Sequence, residues 1–461
     1  MTARRALPLS VPAVAALLAI AAVVAAQAPS SVSGFERGAG VVALTGLGFA
    51  SLLVRPAWTL SVAIVLSAFS SHWSLLGAPF ALDRFALGLC VVSVLARELR
   101  HRDGRLQTEP IHWLLILVAL YAFVSMTVSG TLGESYPRFT LMDRFGVLPF
   151  AMFFVAPFAF RTRADRQILI GALVALGAYL GLTAVLETTG PRSLVVPHYI
   201  NDPTEGIHFD RARGPFLEAN GNGVALFFCA VASAVAFATW ESRRWRAVAL
   251  AVGGLCMLGV LLTVTRAIWL GAGIAAPLAL LSTRETRRYL VPGMLATLVV
   301  VLGALATIPG LAHRVQKRSD AQQPLYDRKN SNAAALRMID ARPLVGFGWG
   351  RFRHDSKDYY RQSQDYPLSG VRDLHNVYLS NAVELGLIGG GLWLLALLAG
   401  IGGAIFRRGP PELRPWKVGL IAMATCLAVA WATAPSAMVL PTLLLWTWAG
   451  IAWGREAPGQ S

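Results

Sequence analysis

Three short segments of this chain carry side chains able to act on an anion or a hydroxyl. The first is Arg211-Ala212-Arg213-Gly214-Pro215-Phe216, followed by Asn220-Gly221-Asn222-Gly223 where an apolar run begins. Two guanidiniums beside a helix start form an arrangement that binds phosphate, since paired N–H donors join the unpaired N–H groups of the helix N-terminus. The plainer alternative is a solvated loop end with Asn220 or Asn222 as an N-cap. The second segment is the turn Thr263-Val264-Thr265-Arg266, inside an apolar stretch (247–282) too long for one membrane crossing. Arg266 there either snorkels to the interface or serves as an anion ligand. The third is Asp373-Leu374-His375-Asn376-Val377-Tyr378-Leu379, with Glu384 nine residues beyond His375. Histidine is the side chain best suited to take a proton near neutral pH. A carboxylate inside an apolar run is either a site residue or the partner of an arginine in the bundle.

Other motifs carry less chemistry. Pro343-Leu344-Val345-Gly346-Phe347-Gly348-Trp349-Gly350 contains GxGxG, but no strand–turn–helix context surrounds it, so it reads as a tight turn and not a nucleotide loop. Cys90, Cys229, Cys256 and Cys426 each lie inside an apolar run without a CxxC or a nearby histidine. They read as small buried hydrophobes, and neither a zinc site nor a redox pair is expected of them.

The elements that must hold these residues are membrane helices. The 461 residues are 55% hydrophobic and 14% charged, against about 25% charged in soluble domains. The deficit comes from repeated apolar runs, roughly 7–28, 38–54, 57–72, 84–97, 110–130, 146–160, 168–187, 223–240, 247–264, 267–282, 290–309, 376–405, 418–434 and 437–453. The expected fold is all-α, a polytopic transmembrane bundle of about 12–14 spans. A soluble enzyme, a disordered chain and a disulfide scaffold are excluded. The net charge of +16 does not imply nucleic acid, because the arginines sit where a membrane topology wants them. Alternating the connections puts 21 basic and 8 acidic residues on one side, including Arg4/Arg5, Arg161/Arg163/Arg166, Arg243/Arg244/Arg246, Arg284/Arg287/Arg288 and Arg407/Arg408/Arg414/Lys417. The other side and the spans hold 20 basic and 17 acidic residues, and twelve of those bases belong to one long loop. Both termini are therefore expected in the cytoplasm. The run after Arg4 and Arg5, ending Ala26-Gln27-Ala28, also fits a cleavable signal peptide. Trp58, Trp73, Trp113, Trp240, Trp245, Trp416 and Trp453 lie at span ends, where interface anchors belong.

The expected organisation is a bundle over 1–310 with an outer loop at 188–222, an extracytoplasmic loop domain over 311–374, and C-terminal spans over 375–461. The larger loop, about sixty residues with aromatics, turns and a short helix at 330–341, is expected to fold, because structureless connections of that length are uncommon.

At these residues the sequence resembles the O-antigen ligase superfamily, which includes O-antigen ligases, O-antigen polymerases and protein O-oligosaccharyltransferases. Arg211-x-x-Gly214-x-Phe216-x-x-x-Asn220 resembles the family's Arg-x-x-Gly-x-Phe-x-x-Pro-Asn, with Ala219 in place of proline. Thr263 to Leu270 resembles its Thr-x-Ser-Arg-x-x-Trp-Leu turn, with Thr265 for serine. Arg328 through Gly350 resembles its Arg…Ala-Leu…Pro-Leu-x-Gly-x-Gly-x-Gly-x-Phe segment, with Asn332 where tryptophan is common. His375-Asn376-x-Tyr378-Leu379…Glu384-Leu385-Gly386 resembles its His-Asn-x-Tyr-Leu…Glu-x-Gly motif. The four patches cover the second half of the chain, and the first half matches only as generic spans.

The resemblance implies a metal-independent GT-C type glycosyltransferase of the bacterial cytoplasmic membrane, using no cofactor and acting on the outer face. Its implied donor is a glycan on undecaprenyl diphosphate, and its acceptor a glycan, glycolipid or protein hydroxyl. Arg211 and Arg266, with Arg213, would hold the diphosphate, and His375 would be the base. Asn376, Tyr378, Glu384, Asn220 and Arg328 would support the site. The rivals from other classes are an envelope-lipid transporter or flippase and a channel or scaffold. A transporter would show internal repeats with matched broken helices, and none is evident.

Overall fold

The computed structural model describes residues 54–70, 72–76, 78, 81–100, 108–361, 374–434 and 438–454, with Val42 as an isolated position. The two N-terminal apolar runs, the signal-peptide alternative and Asp373 lie outside the described residues. Every regular element described is helical. The principal helices are α1 (Pro56–Leu66), α2 (Leu82–Arg100), α3 (Pro110–Val128), α4 (Val147–Ala159), α5 (Arg163–Thr189), α6 (Ala219–Thr239) and α7 (Arg243–Leu262). They continue as α8 (Arg266–Leu281), α9 (Leu290–Thr307), α10 (Leu311–Asp320), α11 (Gln323–Ala341), α12 (Val377–Leu397), α13 (Arg414–Trp431) and α14 (Val439–Trp453). The all-α polytopic fold is as expected. Among the described residues eight helical segments are long and apolar enough to cross a membrane, and three shorter apolar helices (Pro56–Phe69, Arg266–Leu281 and Val439–Trp453) accompany them. The protein is a multi-pass membrane protein.

Local sequence sets the helix starts. Pro56 and Pro110 occupy the first turns of α1 and α3, where a missing N–H costs nothing. Thr162 and Asp165 form a reciprocal capping box on α5, with the Thr162 hydroxyl accepting from the Asp165 N–H at 3.1 Å and the Asp165 carboxylate accepting from the Thr162 N–H at 3.2 Å. In lipid the spans gain little from hiding apolar surface, so close packing through small residues does the work. Helix α14 is the axis of the bundle: all but one of its fifteen residues are buried, and Trp446 and Trp448 are enclosed. Gly450 lets it lie against α4, since a Cβ there would stand 2.5 Å from the Phe153 carbonyl. Helix α9 is the opposite case, with only Ala304 buried.

Two of the expected interface tryptophans are core residues instead. Trp416 stacks on Trp448 at 4.2 Å between ring centroids, and the Trp73 indole N–H donates to Asp83 at 2.6 Å. Their indoles are taken up by protein partners, whereas Trp58, Trp113 and Trp245 are exposed as anchors should be. The four cysteines are buried and free, as their apolar surroundings implied.

The long loop is more helical than its sequence indicated. The helix expected at 330–341 begins at Gln323, and a separate helix, α10, precedes it. A small core of Ala335, Met338, Phe352, Leu374 and Val383 seats this segment on the first turns of α12.

Candidate functional site

The loop before α6 is built to present Arg211. Its central residue Ala212 is held from both sides, its N–H donating to the Leu262 carbonyl at 3.2 Å and its carbonyl accepting from Asn222 Nδ2 at 3.0 Å. Next to it, Glu187 at the end of α5 accepts the backbone N–H groups of Gly214 at 3.0 Å and Arg213 at 3.4 Å. With its neighbours pinned, Arg211 is held largely buried, and its only ion-pair partner among the described residues is Asp210, at 3.7 Å.

Arg213 is corrected by the structure. Its guanidinium is wholly buried in the loop and donates to the carbonyls of Ile200, Asp202 and Glu205, while lying 4.8 Å from the Phe209 ring centre. Both terminal nitrogens are engaged by backbone acceptors, so Arg213 frames the loop. Asn220 and Asn222 are not N-caps either. Glu218 holds the N-cap position of α6, the Asn220 side chain hydrogen-bonds the Glu218 carboxylate, and Asn222 serves Ala212.

The turn at 263–266 lies where its spacing put it. Helix α7 ends at Leu262, Val264 takes a positive φ of 46°, and Arg266 opens α8. The Thr263 hydroxyl donates to the Val260 carbonyl at 2.7 Å, the Thr265 hydroxyl to Thr263 at 2.9 Å, and the Trp269 indole back to Val260 at 3.0 Å. These bonds tie the turn to the end of α7 and fix where Arg266 emerges. Gly223 of α6 meets the same turn, since a Cβ there would crowd Ile268 and the Thr263 hydroxyl at 3.2–3.3 Å.

From the long loop come Arg318 on α10 and Arg328 on α11. Arg318 is the common neighbour of the cations: its charge acts on Arg211 and Arg328, and Arg266 acts on it. Burial first, then these like charges, lowers the proton affinity of Arg211, Arg318 and Arg328, though guanidinium remains charged at any physiological pH. His208, held at a positive φ of 62°, joins the same group. Burial and the Arg211 and Arg318 charges push its imidazole down to about 4, so it is neutral, and His375 lies within its electrostatic reach. Four arginines, two histidines and Asp210 thus share one region above the helix ends. Arg211, Arg266, Arg328 and His375 were expected there from sequence. Arg318, His208 and Asp210 were not.

His375 stands one residue before Asn376, the N-cap of α12, whose side-chain oxygen accepts from the Leu379 N–H at 3.1 Å. Tyr378 acts on placement, its hydroxyl donating to the Ala428 carbonyl at 3.1 Å and its ring packing against Trp393 and Trp431. Among the described residues no arginine of the bundle hydrogen-bonds Glu384. Its carboxylate accepts backbone N–H groups of Gly350 and Phe352, the latter at 3.4 Å.

Those bonds explain the GxGxG segment, which does more than turn. Helix α12 is broken at Gly386 (φ 68°, ψ −176°), and the break leaves backbone groups that residues 343–348 satisfy. Phe347 and Gly348 donate to Val383 and Glu384, both at 2.9 Å, and Leu387 donates to Pro343 at 2.8 Å. Gly346 also has a positive φ of 72°, and a side chain on either glycine would collide with the opposing backbone. The loop is sealed to α12 as a backbone strap, with Trp349 tied to Ser125 and Pro137 on the far side. Among the described residues no group of three His, Cys, Asp or Glu side chains could hold a metal ion.

This geometry concentrates cations beside an imidazole on segments from the loop before α6 to the start of α12. Residues 251–394 match the O-antigen ligase family. The matched stretch contains Arg266, Arg318, Arg328, His375 and Glu384, whereas Arg211 precedes it. The superfamily resemblance read from the four motifs is borne out over this stretch, and the match supports an O-antigen ligase-like membrane glycosyltransferase in general. No curated protein matches it.

Proposed function

We propose that this protein moves a glycan from undecaprenyl diphosphate to an acceptor hydroxyl on the outer face of the bacterial cytoplasmic membrane, with both termini in the cytoplasm. The observation that carries the reading is the run of neighbouring charges from Arg328 and Arg266 through Arg318 to Arg211 and His208, with His375 within reach of His208. A lipid diphosphate is an anion at the membrane surface, and guanidiniums bind phosphoryl oxygens two donors at a time. Positive side chains held together against their mutual repulsion are a ready electrostatic complement to it.

The step balances simply. The acceptor oxygen attacks the anomeric carbon while the bond from that carbon to the phosphate oxygen breaks. The electron pair leaves with undecaprenyl diphosphate, and His375 takes the hydroxyl proton. Charge on the leaving diphosphate grows as the bond breaks, so fixed cations stabilise the transition state more than the ground state. Direct attack inverts the anomeric configuration. No metal or nucleotide is required. Asn376 fixes the start of α12, Tyr378 anchors it to α13, and Glu384 secures the strap, so all three position His375 without touching substrate. An O-antigen polymerase, whose acceptor is the end of another lipid-linked glycan, and a protein O-oligosaccharyltransferase would use the same step.

The test uses the full chain in liposomes with a labelled glycan on undecaprenyl diphosphate and a defined acceptor. Transfer without nucleotide, lost in His375→Ala and cut at least about a hundredfold in Arg211→Met, is the expected result, since such positioned groups contribute 10²–10⁴-fold each. Movement of the lipid across the bilayer without transfer, unaffected by His375→Ala, would make the protein a flippase.

A further inference from the structure

Arg318 belongs to no motif, yet the fold puts it at the centre of the cation cluster. On α10, Leu311 is fully buried and Val315 packs against the bundle core. Arg318 follows at seven residues from Leu311 and three from Val315, the spacing of one helix face. The inward stripe of α10 is therefore apolar for two turns and then cationic. The other face is ordinary solvated surface, with His313, Gln316, Lys317 and Asp320 lining an open concavity.

The surroundings of Arg318 are unfavourable as they stand. It is partly buried and faces Arg266, Arg211 and Arg328, the Asp210 charge is the one carboxylate given to it against them, and among the described residues no acceptor lies within hydrogen-bond or ion-pair distance of it. Arg211 and Arg266 stand on the rim of the bundle, Arg328 on α11, and Arg318 is the neighbour common to all three. We propose that Arg318 is a further donor-binding residue that bridges the two phosphoryl groups of a lipid diphosphate, spanning the cations of the bundle rim and those of the outer loop. This rests on the donor reading above and adds the prediction that the site distinguishes diphosphate from monophosphate through Arg318.

The experiment measures equilibrium binding of undecaprenyl diphosphate and of undecaprenyl phosphate to the full chain in nanodiscs by native mass spectrometry. Arg318→Gln is expected to weaken diphosphate binding about tenfold and monophosphate binding less than about threefold, the scale of losing one charge-assisted contact. Arg318→Lys, which keeps the charge without the fork, falls between the two and controls for folding. Lys317→Gln, on the outward face, binds both lipids as the wild type does. Wild-type affinity for diphosphate in Arg318→Gln overturns the assignment, and so do equal losses for both lipids, which would make Arg318 a diffuse field and not a bridge. A wild-type protein that binds neither phosphorylated lipid better than undecaprenol would instead sink the donor reading, and the bridge with it.

Discussion

Two arginines separated by one residue do opposite jobs. Arg213 gives donors to three backbone carbonyls inside the loop, and removing it leaves the buried Ile200 carbonyl without this donor and unties the loop at Asp202 and Glu205. Arg213→Met is expected to cost about 3 kcal/mol, seen as a fall in melting temperature and in yield of folded protein. Arg211 is buried beside the like charge of Arg318, and in the proposed function that charge serves a ligand. Arg211→Met should therefore leave the melting temperature unchanged or slightly raised while glycan transfer is lost, the usual opposition between a strained site and a stable one. Equal destabilisation by both changes would mean that Arg211, too, is part of the framework. His208 adds a pH signature. Its imidazole titrates near 4 in the folded protein against 6.5 when unfolded, so the unfolded chain binds more protons between those values. The stability it allows is complete above about pH 6.5 and declines as pH falls toward 4, by about 2 kcal/mol once the partial exposure of the ring is considered. Melting temperatures between pH 7 and 5 should fall more steeply in the wild type than in His208→Gln, and parallel curves would show that His208 is protonated in the folded state.

At the level of elements, the break in α12 is a built feature. Gly386 has a conformation open essentially to glycine alone, and a Cβ would lie 2.1 Å from the Leu344 carbonyl. Gly386→Ala is expected to detach the 343–348 strap and abolish transfer, because the strap and His375 are fixed to the same helix. Glu384 allows a finer test. Glutamine keeps an oxygen for the N–H groups of Gly350 and Phe352, so Glu384→Gln should retain most activity in the transfer assay, while Glu384→Ala loses at least about tenfold through misplacement of α12. Loss in the glutamine variant equal to that in alanine would assign Glu384 a charged role at the substrate. This is also where sequence reading reached its limit. The turn at Arg266 was legible because an arginine interrupts an apolar stretch, and the N-terminal position of His375 was legible because an apolar run starts after it. The strap was not, since a backbone-to-backbone seal leaves only glycines in the sequence. Arg318 did leave a trace, the Leu311, Val315, Arg318 stripe, but the helix that carries it is short and lies inside a segment read as loop. Arg213 misled because side-chain type shows charge and not which carbonyls surround it.

Across the whole molecule, charge and site lie at opposite ends. The short basic connections meet at one end of the bundle, where Arg163 pairs with Glu241 at 3.0 Å, Arg166 with Glu412 at 2.7 Å, and Arg414 stands 3.9 Å from Glu285. The end of α5, the start of α6, the α7–α8 turn and the start of α12 gather at the other end, with Arg211, Arg266 and His375. An excess of Lys and Arg in short loops marks the cytoplasmic side, so the cationic cluster should face outward, where a flipped lipid-linked glycan would be presented. Single cysteines report this directly, because the four native cysteines are buried. Thr204→Cys, on the exposed outer loop, is expected to react with a membrane-impermeant maleimide in intact spheroplasts, and Arg244→Cys only after permeabilisation. The reverse pattern would put the cations in the cytoplasm beside nucleotide-sugar pools, and an outward-facing lipid-diphosphate donor could not then be the substrate, however well the guanidiniums converge.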